Sequence, residues 1–194
     1  MIGFIRHGVT AWNKEGRAQG SSDIPLDVDG IVTAKQLACR LANEKWDVIF
    51  TSPMVRAKQT ATILAKKLRL EVKEDDRLRE RSGGLIEGTT EAERLEKWGP
   101  TWREQDLKFE TGESVKARGL DFVMECVQCN ADQKILVVSH GSFLKRIIAA
   151  LLEDQTYEVK IDNTSLTVID VEKKNCLLLN DTSHIIGGSN GNRI

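Results

Sequence analysis

Two short apolar segments of this chain are each followed, one residue later, by the dipeptide His-Gly. His7 follows the segment 2–5, and His140 follows the segment 135–138. Continuous apolar runs of this length are typical of strands covered on both faces, as in a parallel sheet. Ligands of open α/β sheets bind beyond the carboxyl ends of the strands. If the two strands are parallel neighbours, about 4.8 Å apart, both imidazoles can reach one small molecule.

The rest of the chain alternates between strand-like and helix-like patterns. A further apolar run lies at 48–50. Apolar residues recur every three or four positions in three segments: 31–42, 55–68 and 143–152. Two last apolar runs, 166–168 and 176–179, are joined by a short polar turn, which favours an antiparallel pair. We therefore expect a three-layer α/β/α fold with a largely parallel central sheet and an antiparallel edge strand.

The length of the chain, 194 residues, is enough for one domain, and we expect it to span 1–185. The segment 88–112 is charged and is interrupted by a Gly-Pro pair. It is predicted to form two short helices, a helical insertion over the site at the sheet edge. Residues 186–194 are rich in glycine and polar side chains, which predicts a flexible tail.

Composition narrows the classes of partner. The chain has 28 basic and 29 acidic residues, so the formal net charge of −1 makes no electrostatic case for nucleic acid or an anionic membrane. No apolar run approaches the ~20 residues needed to span a bilayer. The N-terminal residues lack the pattern of a signal peptide, so we expect a cytoplasmic protein. We expect its oligomeric state to be a monomer or a homodimer.

Cys126 and Cys129 form a C-x-x-C pair. A redox motif of this type would follow a strand and open a helix, whereas this pair lies near the end of a helical pattern. A zinc site would need further ligands, and the sequence has no second C-x-x-C. We expect buried or half-buried free thiols in a reducing compartment, with a redox role left open.

Two arginines also follow predicted strands. Arg6 directly precedes His7, and Arg56 lies in the first turn of the helix after the strand 48–50. Ser52 and Pro53 suit the N-cap and first position of that helix. Two guanidinium groups offer forked donors that match a phosphate. Together with the two histidines, they predict a site for a tetrahedral dianion.

The chemistry of such a site is phosphoryl transfer. No P-loop motif is present, which argues against a nucleoside triphosphatase. A neutral imidazole can attack phosphorus, and neighbouring arginines keep it neutral. The second histidine, if protonated, can donate hydrogen bonds to the transferring oxygens. The leaving alkoxide needs a proton, for which the residues alone leave two candidates, Glu80 and Glu87.

An ordered series of motifs resembles the histidine phosphatase superfamily, the phosphoglycerate-mutase-like proteins. The series runs from residue 2 to about 185 and comprises Arg6-His7-Gly8-Val9-Thr10-Ala11-Trp12-Asn13, Gln19-Gly20, Thr51-Ser52-Pro53 with Arg56-Ala57, Leu78-Arg79-Glu80, Gly84 to Gly88, Ser139-His140-Gly141 and Asn163-Thr164-Ser165.

This resemblance implies a role for each matching position. His7 becomes the nucleophile that forms phosphohistidine, and Glu80 rather than Glu87 becomes the proton donor. The implied phosphate and substrate pocket consists of Arg6, Asn13, Gln19, Gly20, Arg56, His140 and Gly141. The family needs no metal and no organic cofactor, so the resemblance implies a metal-independent phosphatase acting on small organic phosphomonoesters.

Two alternatives stay open at this point. A cofactor-dependent phosphoglycerate mutase uses the same residues, although the insertion here is short and the loop after Glu80 lacks the expected aromatic. The second alternative is a non-catalytic module that recognises phosphate. An apolar wall for the substrate is expected from Leu85, Ile86, Trp98 and Trp102, and His184 is expected to be structural.

Overall fold

One mixed sheet forms the centre of the computed structural model, which describes residues 1–130, 133–153 and 160–185. The strands are β1 (Ile2–Arg6), β2 (Val48–Thr51), β3 (Val72–Glu74), β4 (Ile135–Ser139), β5 (Leu166–Asp170) and β6 (Asn175–Asp181). Their order in the sheet is β3-β2-β4-β1-β5-β6. The first four of these are parallel neighbours, while β5 pairs antiparallel with β1 and with β6.

Helices cover both faces of this sheet. They are α1 (Ala11–Lys14), α2 (Val28–Leu41), α3 (Val55–Leu68), α4 (Glu91–Trp98), α5 (Gly112–Cys129) and α6 (Gly141–Leu151). Because successive strand residues point to opposite faces, Phe4 packs in the core with α5 and α6, while Ile5 packs with α2 and α3. The expected three-layer α/β/α fold with an antiparallel edge is confirmed.

Close packing between α5 and α6 depends on a glycine. A Cβ atom at Gly119 would lie 2.2 Å from Cδ1 of Ile147. Both residues are buried, and Phe143 closes the same contact from α6. The two helices can therefore approach each other only because this position lacks a side chain.

The start of α3 differs from the prediction. The helix begins at Val55 with Met54 at its N-cap, and no side chain caps it. Ser52 was the expected cap, but its hydroxyl lies 2.8 Å from Nε2 of His140. Its backbone N–H continues the sheet by donating to the carbonyl of Val138. The serine therefore follows β2 and contacts the sheet edge rather than capping the helix.

The segment 88–112 contains one helix, α4, and a 3₁₀ turn at Trp102–Glu104, where two short helices were expected. Trp102 packs in a small core with Ile86 and Leu107, and Trp98 packs against that core. The predicted tail, 186–194, lies outside the described residues.

The C-x-x-C pair lies in the last turn of α5. Cys126 is buried, and burial raises the pKa of its thiol to about 12, whereas Cys129 is exposed. The expectation that both thiols are covered is therefore wrong for Cys129, because α5 turns this position to solvent. In the part of the chain that the structure describes, no helix is long and apolar enough to cross a membrane.

Candidate active site

The two histidines meet at the carboxyl edge of the sheet. Arg6 at the end of β1 lies opposite Ser139 at the end of β4, so His7 and His140 leave neighbouring strands side by side. Their ring centroids are 5.2 Å apart. Both are buried, with relative exposures of 2% and 0%. The juxtaposition expected from the sequence is thus present.

His7 is held in a single tautomer. Its Nδ1 lies 2.7 Å from the carbonyl oxygen of Gly8, and a carbonyl can only accept, so Nδ1 carries the proton. Among the described residues, Nε2 has no hydrogen-bond partner. Burial, followed by Arg6 and Arg56, lowers the pKa of His7 well below its usual value. A neutral imidazole with a free Nε2 lone pair results.

His140 is also neutral. Burial, with Arg56 next, lowers its pKa well below the usual value. Nε of Arg56 donates to its Nδ1 at 3.2 Å, and Nε2 contacts the Ser52 hydroxyl. The protonated second histidine considered from the sequence is therefore disfavoured in this structure.

Arg6 presents an unsatisfied donor. One terminal nitrogen donates to the carbonyl of Ile161 at 2.7 Å, but the buried Nε has no hydrogen-bond partner among the described residues. Burial lowers the pKa of Arg6. A Cβ at Gly141 would lie 3.2 Å from this Nε, so the glycine leaves the guanidinium open on that side.

Arg56 is fully buried and orders the loop before α2. Its terminal nitrogens donate to the carbonyls of Ser22 and Gly20 at 2.8 and 3.0 Å. Burial lowers its pKa to about 10, so it stays a cation at neutral pH. Within the described ranges, neither Arg56 nor Arg6 forms an ion pair with a carboxylate.

The two candidate acids have different surroundings. Glu87 joins two loops, because its carboxylate accepts from the backbone N–H groups of Ser21 (2.8 Å) and Gly83 (2.9 Å) and from the hydroxyl of Ser22 (3.2 Å). Gly20 makes room for it, since a Cβ there would lie 2.1 Å from Oε1 and the residue has φ of +48°.

Glu80 lies at the start of α6. Its carboxylate accepts from the backbone N–H groups of Ser142 (3.1 Å), Phe143 (2.8 Å) and Arg81 (2.8 Å). Unlike Glu87, it lines the cavity described below. Glu80 also stabilises the charged forms of both Arg6 and Arg56.

Asn13 and Gln19 flank the cluster. Oδ1 of Asn13 accepts from the backbone and hydroxyl of Thr10, which completes a capping box at α1. Oε1 of Gln19 is buried without a partner. Asn163 was not singled out from the sequence, yet its side chain donates to the carbonyl of His7 (2.9 Å) and to Asn13. Its place in the motif Asn163-Thr164-Ser165 was the available signal.

An open cavity of about 390 Å³ adjoins the cluster. Its lining consists of Ala18, Gln19, Gly20, Glu80, Arg81, Ser82, Gly83, Ile86, Trp102, Arg103, Phe109 and Ser142. The two histidines and Arg6 and Arg56 do not line it, and Gly20 links it to Arg56. Of the expected apolar wall, Ile86 and Trp102 are present. Trp98 does not line it, and Leu85 is exposed to solvent instead.

The cluster at the sheet edge consists of two histidines and two arginines. In the described part of the chain, no group of three or more histidine, cysteine, aspartate or glutamate side chains could hold a metal ion. Two neutral histidines and two arginines at a parallel-sheet edge, with neither arginine in an ion pair with a described carboxylate, suit a protein that binds or acts on phosphate esters.

Comparison with known proteins agrees with this class. The family model described as histidine phosphatase superfamily (branch 1) matches residues 2–182, and the chain belongs to this superfamily.

Phosphoserine phosphatase 1 of Hydrogenobacter thermophilus is 34% identical, covering 94% of this chain and 92% of that protein. A probable phosphoglycerate mutase GpmB of Serratia proteamaculans is 32% identical, covering 88% and 84%. The solved structure of Bacillus stearothermophilus YhfR is similar with a TM-score of 0.85 at 30% identity, covering 94% of this chain and 98% of that chain.

Proposed function

We propose that this protein is a metal-independent phosphatase that hydrolyses small organic phosphomonoesters through a phosphohistidine on His7. One observation carries the proposal. The fully buried guanidinium of Arg56 and the partly buried one of Arg6 flank a neutral imidazole, and among the described residues neither arginine forms an ion pair and Nε2 of His7 has no hydrogen-bond partner. Buried charges are normally paired, so this pair of cations calls for an anion, and a phosphate satisfies both.

The proposed reaction has two steps. The Nε2 lone pair of His7 attacks phosphorus, the bond to the ester oxygen breaks, and Glu80 donates a proton to the departing alkoxide. Water then attacks the phosphohistidine, Glu80 takes a proton from that water, and the bond to Nε2 breaks to release inorganic phosphate. Asn13 and Gln19 supply uncharged polar contacts around the transferred group, and His140 stays neutral beside His7.

The cavity favours an organic group of modest size. Ile86, Trp102 and Phe109 give it an apolar side, and Arg81 and Arg103 give it a basic side. Arg103 pairs with Glu91, whereas Arg81 forms no ion pair with a described carboxylate. Small esters that combine an apolar portion with a second anionic group match this lining best.

The test is a panel of phosphomonoesters assayed for phosphate release, followed by mass spectrometry of the acid-labile phosphoenzyme. We expect several esters to be hydrolysed, His7 to carry the label, and His7→Ala to lose both turnover and label. Substantial turnover by His7→Ala would refute the assignment. Interconversion of phosphoglycerates that requires 2,3-bisphosphoglycerate, with little phosphate release, would identify a mutase. Phosphate binding without labelling would identify a recognition module.

A further inference from the structure

The ring of His140 is held at both nitrogens by groups of the protein. Nδ1 lies 3.2 Å from Nε of Arg56, and Nε2 lies 2.8 Å from Oγ of Ser52. All three residues are fully buried, with relative exposures of 0%. These contacts lie in a region without access to solvent, where an unpaired polar group is costly.

The chemistry of the two partners decides where the proton lies. An arginine N–H can only donate, so Nδ1 of His140 is an acceptor and carries no proton. A neutral imidazole then carries its proton on Nε2, and that N–H donates to the hydroxyl oxygen of Ser52. A second proton on the ring is disfavoured electrostatically by the neighbouring charged and titratable groups, which are Arg56, His7, Arg6 and Arg118.

The sheet fixes the position of Ser52. Its backbone N–H donates to the carbonyl of Val138 at 3.0 Å, two residues before His140. The serine hydroxyl is thereby fixed beside the strand that ends at this histidine. A weaker contact at 3.4 Å joins the same hydroxyl to the N–H of Met54.

We propose that Ser52 is a positioning residue that, together with Arg56, fixes His140 as the neutral tautomer protonated on Nε2. The tautomer follows from these contacts alone, and only its catalytic consequence rests on the proposed function. That consequence is a ring kept uncharged and fixed in orientation at its 5.2 Å separation from His7, rather than a cation beside the nucleophile.

The first test reads the tautomer directly and needs no activity. The chain has only three histidines, so a spectrum of the ¹⁵N-labelled rings at pH 7 contains three sets of signals. Replacing His7 and His184 in turn by glutamine assigns the set of His140. We expect protonated Nε2 and unprotonated Nδ1. A protonated Nδ1, or an imidazolium, overturns the proposal.

The second test uses Ser52→Ala, with Ser52→Thr as the conservative variant. Loss of the acceptor leaves a buried N–H unpaired and lets the ring shift, and a small misplacement of a group at the site can lower kcat by about tenfold to a hundredfold. We expect that fall, a KM changed less than threefold, and altered ring signals of His140. Ser52→Thr keeps the hydroxyl and restores both kcat and signals.

Ser165→Ala is the matched control, because Ser165 is equally buried and its hydroxyl has no hydrogen-bond partner in the part of the chain that the structure describes. We expect this variant to behave as the wild type. Unchanged signals and kcat in Ser52→Ala, or a loss confined to KM, would overturn the proposal. A wild-type protein that shows the expected tautomer but hydrolyses no ester would remove the proposed function and leave the role of Ser52 standing.

Discussion

Replacing Glu80 and Glu87 one at a time by glutamine tests which of the two is the proposed proton donor. Glu87→Gln keeps Oε1, which accepts from both backbone amides, and its new amide group can donate to the Ser22 hydroxyl. All three contacts survive the change. We expect activity within about threefold of wild type and a loss of unfolding free energy below about 1 kcal/mol.

Glu80→Gln is different, because all three of its contacts are to backbone donors. The new amide group must face at least one N–H, and that unpaired donor costs about 1–3 kcal/mol. This cost applies equally to every substrate. The missing proton adds a further loss of about 10²- to 10⁴-fold for alkyl phosphates, whose leaving groups need protonation. Activated aryl phosphates need little protonation and escape this second loss.

The assay is the ratio of kcat/KM for an alkyl phosphate to that for 4-nitrophenyl phosphate, with the folded fraction checked by urea titration. We expect the ratio to fall at least about a hundredfold in Glu80→Gln and to stay unchanged in Glu87→Gln. Equal losses on both substrates would remove Glu80 from the acid role. A selective alkyl loss in Glu87→Gln would transfer that role to Glu87.

Three further outcomes are expected. Chelation with EDTA leaves phosphatase activity intact, and a loss that added divalent ion restores would refute the metal-independent reaction. The pKa values of His7, His140 and His184 are all lowered, chiefly by burial, so below pH 6.5 the unfolded chain binds more protons. As the pH is lowered below 6.5, the unfolding free energy measured in urea should therefore decrease, by at most about 1.4 kcal/mol per pH unit for each histidine. His184→Gln should make this decrease less steep. Gly119→Ala forces a Cβ against Ile147 and should lower unfolding free energy by about 1–3 kcal/mol, whereas unchanged stability would mean that α5 and α6 can separate at little cost.

The layers of the fold and the meeting of the two histidines were predictable because both depend on short-range patterns. Apolar runs identify buried strands, and a histidine directly after each of two parallel strands is carried to one edge whatever the loops do. Strand β3 was not predictable in the same way. Its three residues, Val72–Glu74, are partly charged and too few to form an apolar run.

The roles of Ser52 and of the two glutamates depend on contacts between distant parts of the chain. Ser52 reaches a histidine 88 positions away, whereas its local surroundings, Ser-Pro before a helical pattern, match an N-cap. Glu80 and Glu87 share one glycine-rich loop, and the path of that loop decides which backbone amides each accepts from. No local pattern contains that path, so the residues alone left both carboxylates as candidates, and only the family resemblance singled out Glu80.

The order of strands also determines when this site can exist during synthesis. Strand β1, which leads to His7, is paired on both sides by strands made much later, β4 from Ile135 and β5 from Leu166. A ribosome adding roughly 10 residues per second reaches the first of these on the order of ten seconds after β1. A nascent chain that has not yet reached Ile135 carries β1 as an apolar strand with both edges unpaired, which is an aggregation hazard. The two histidines come together only after β4 has been made and has paired with β1, so a chain truncated before Ile135 cannot assemble the site.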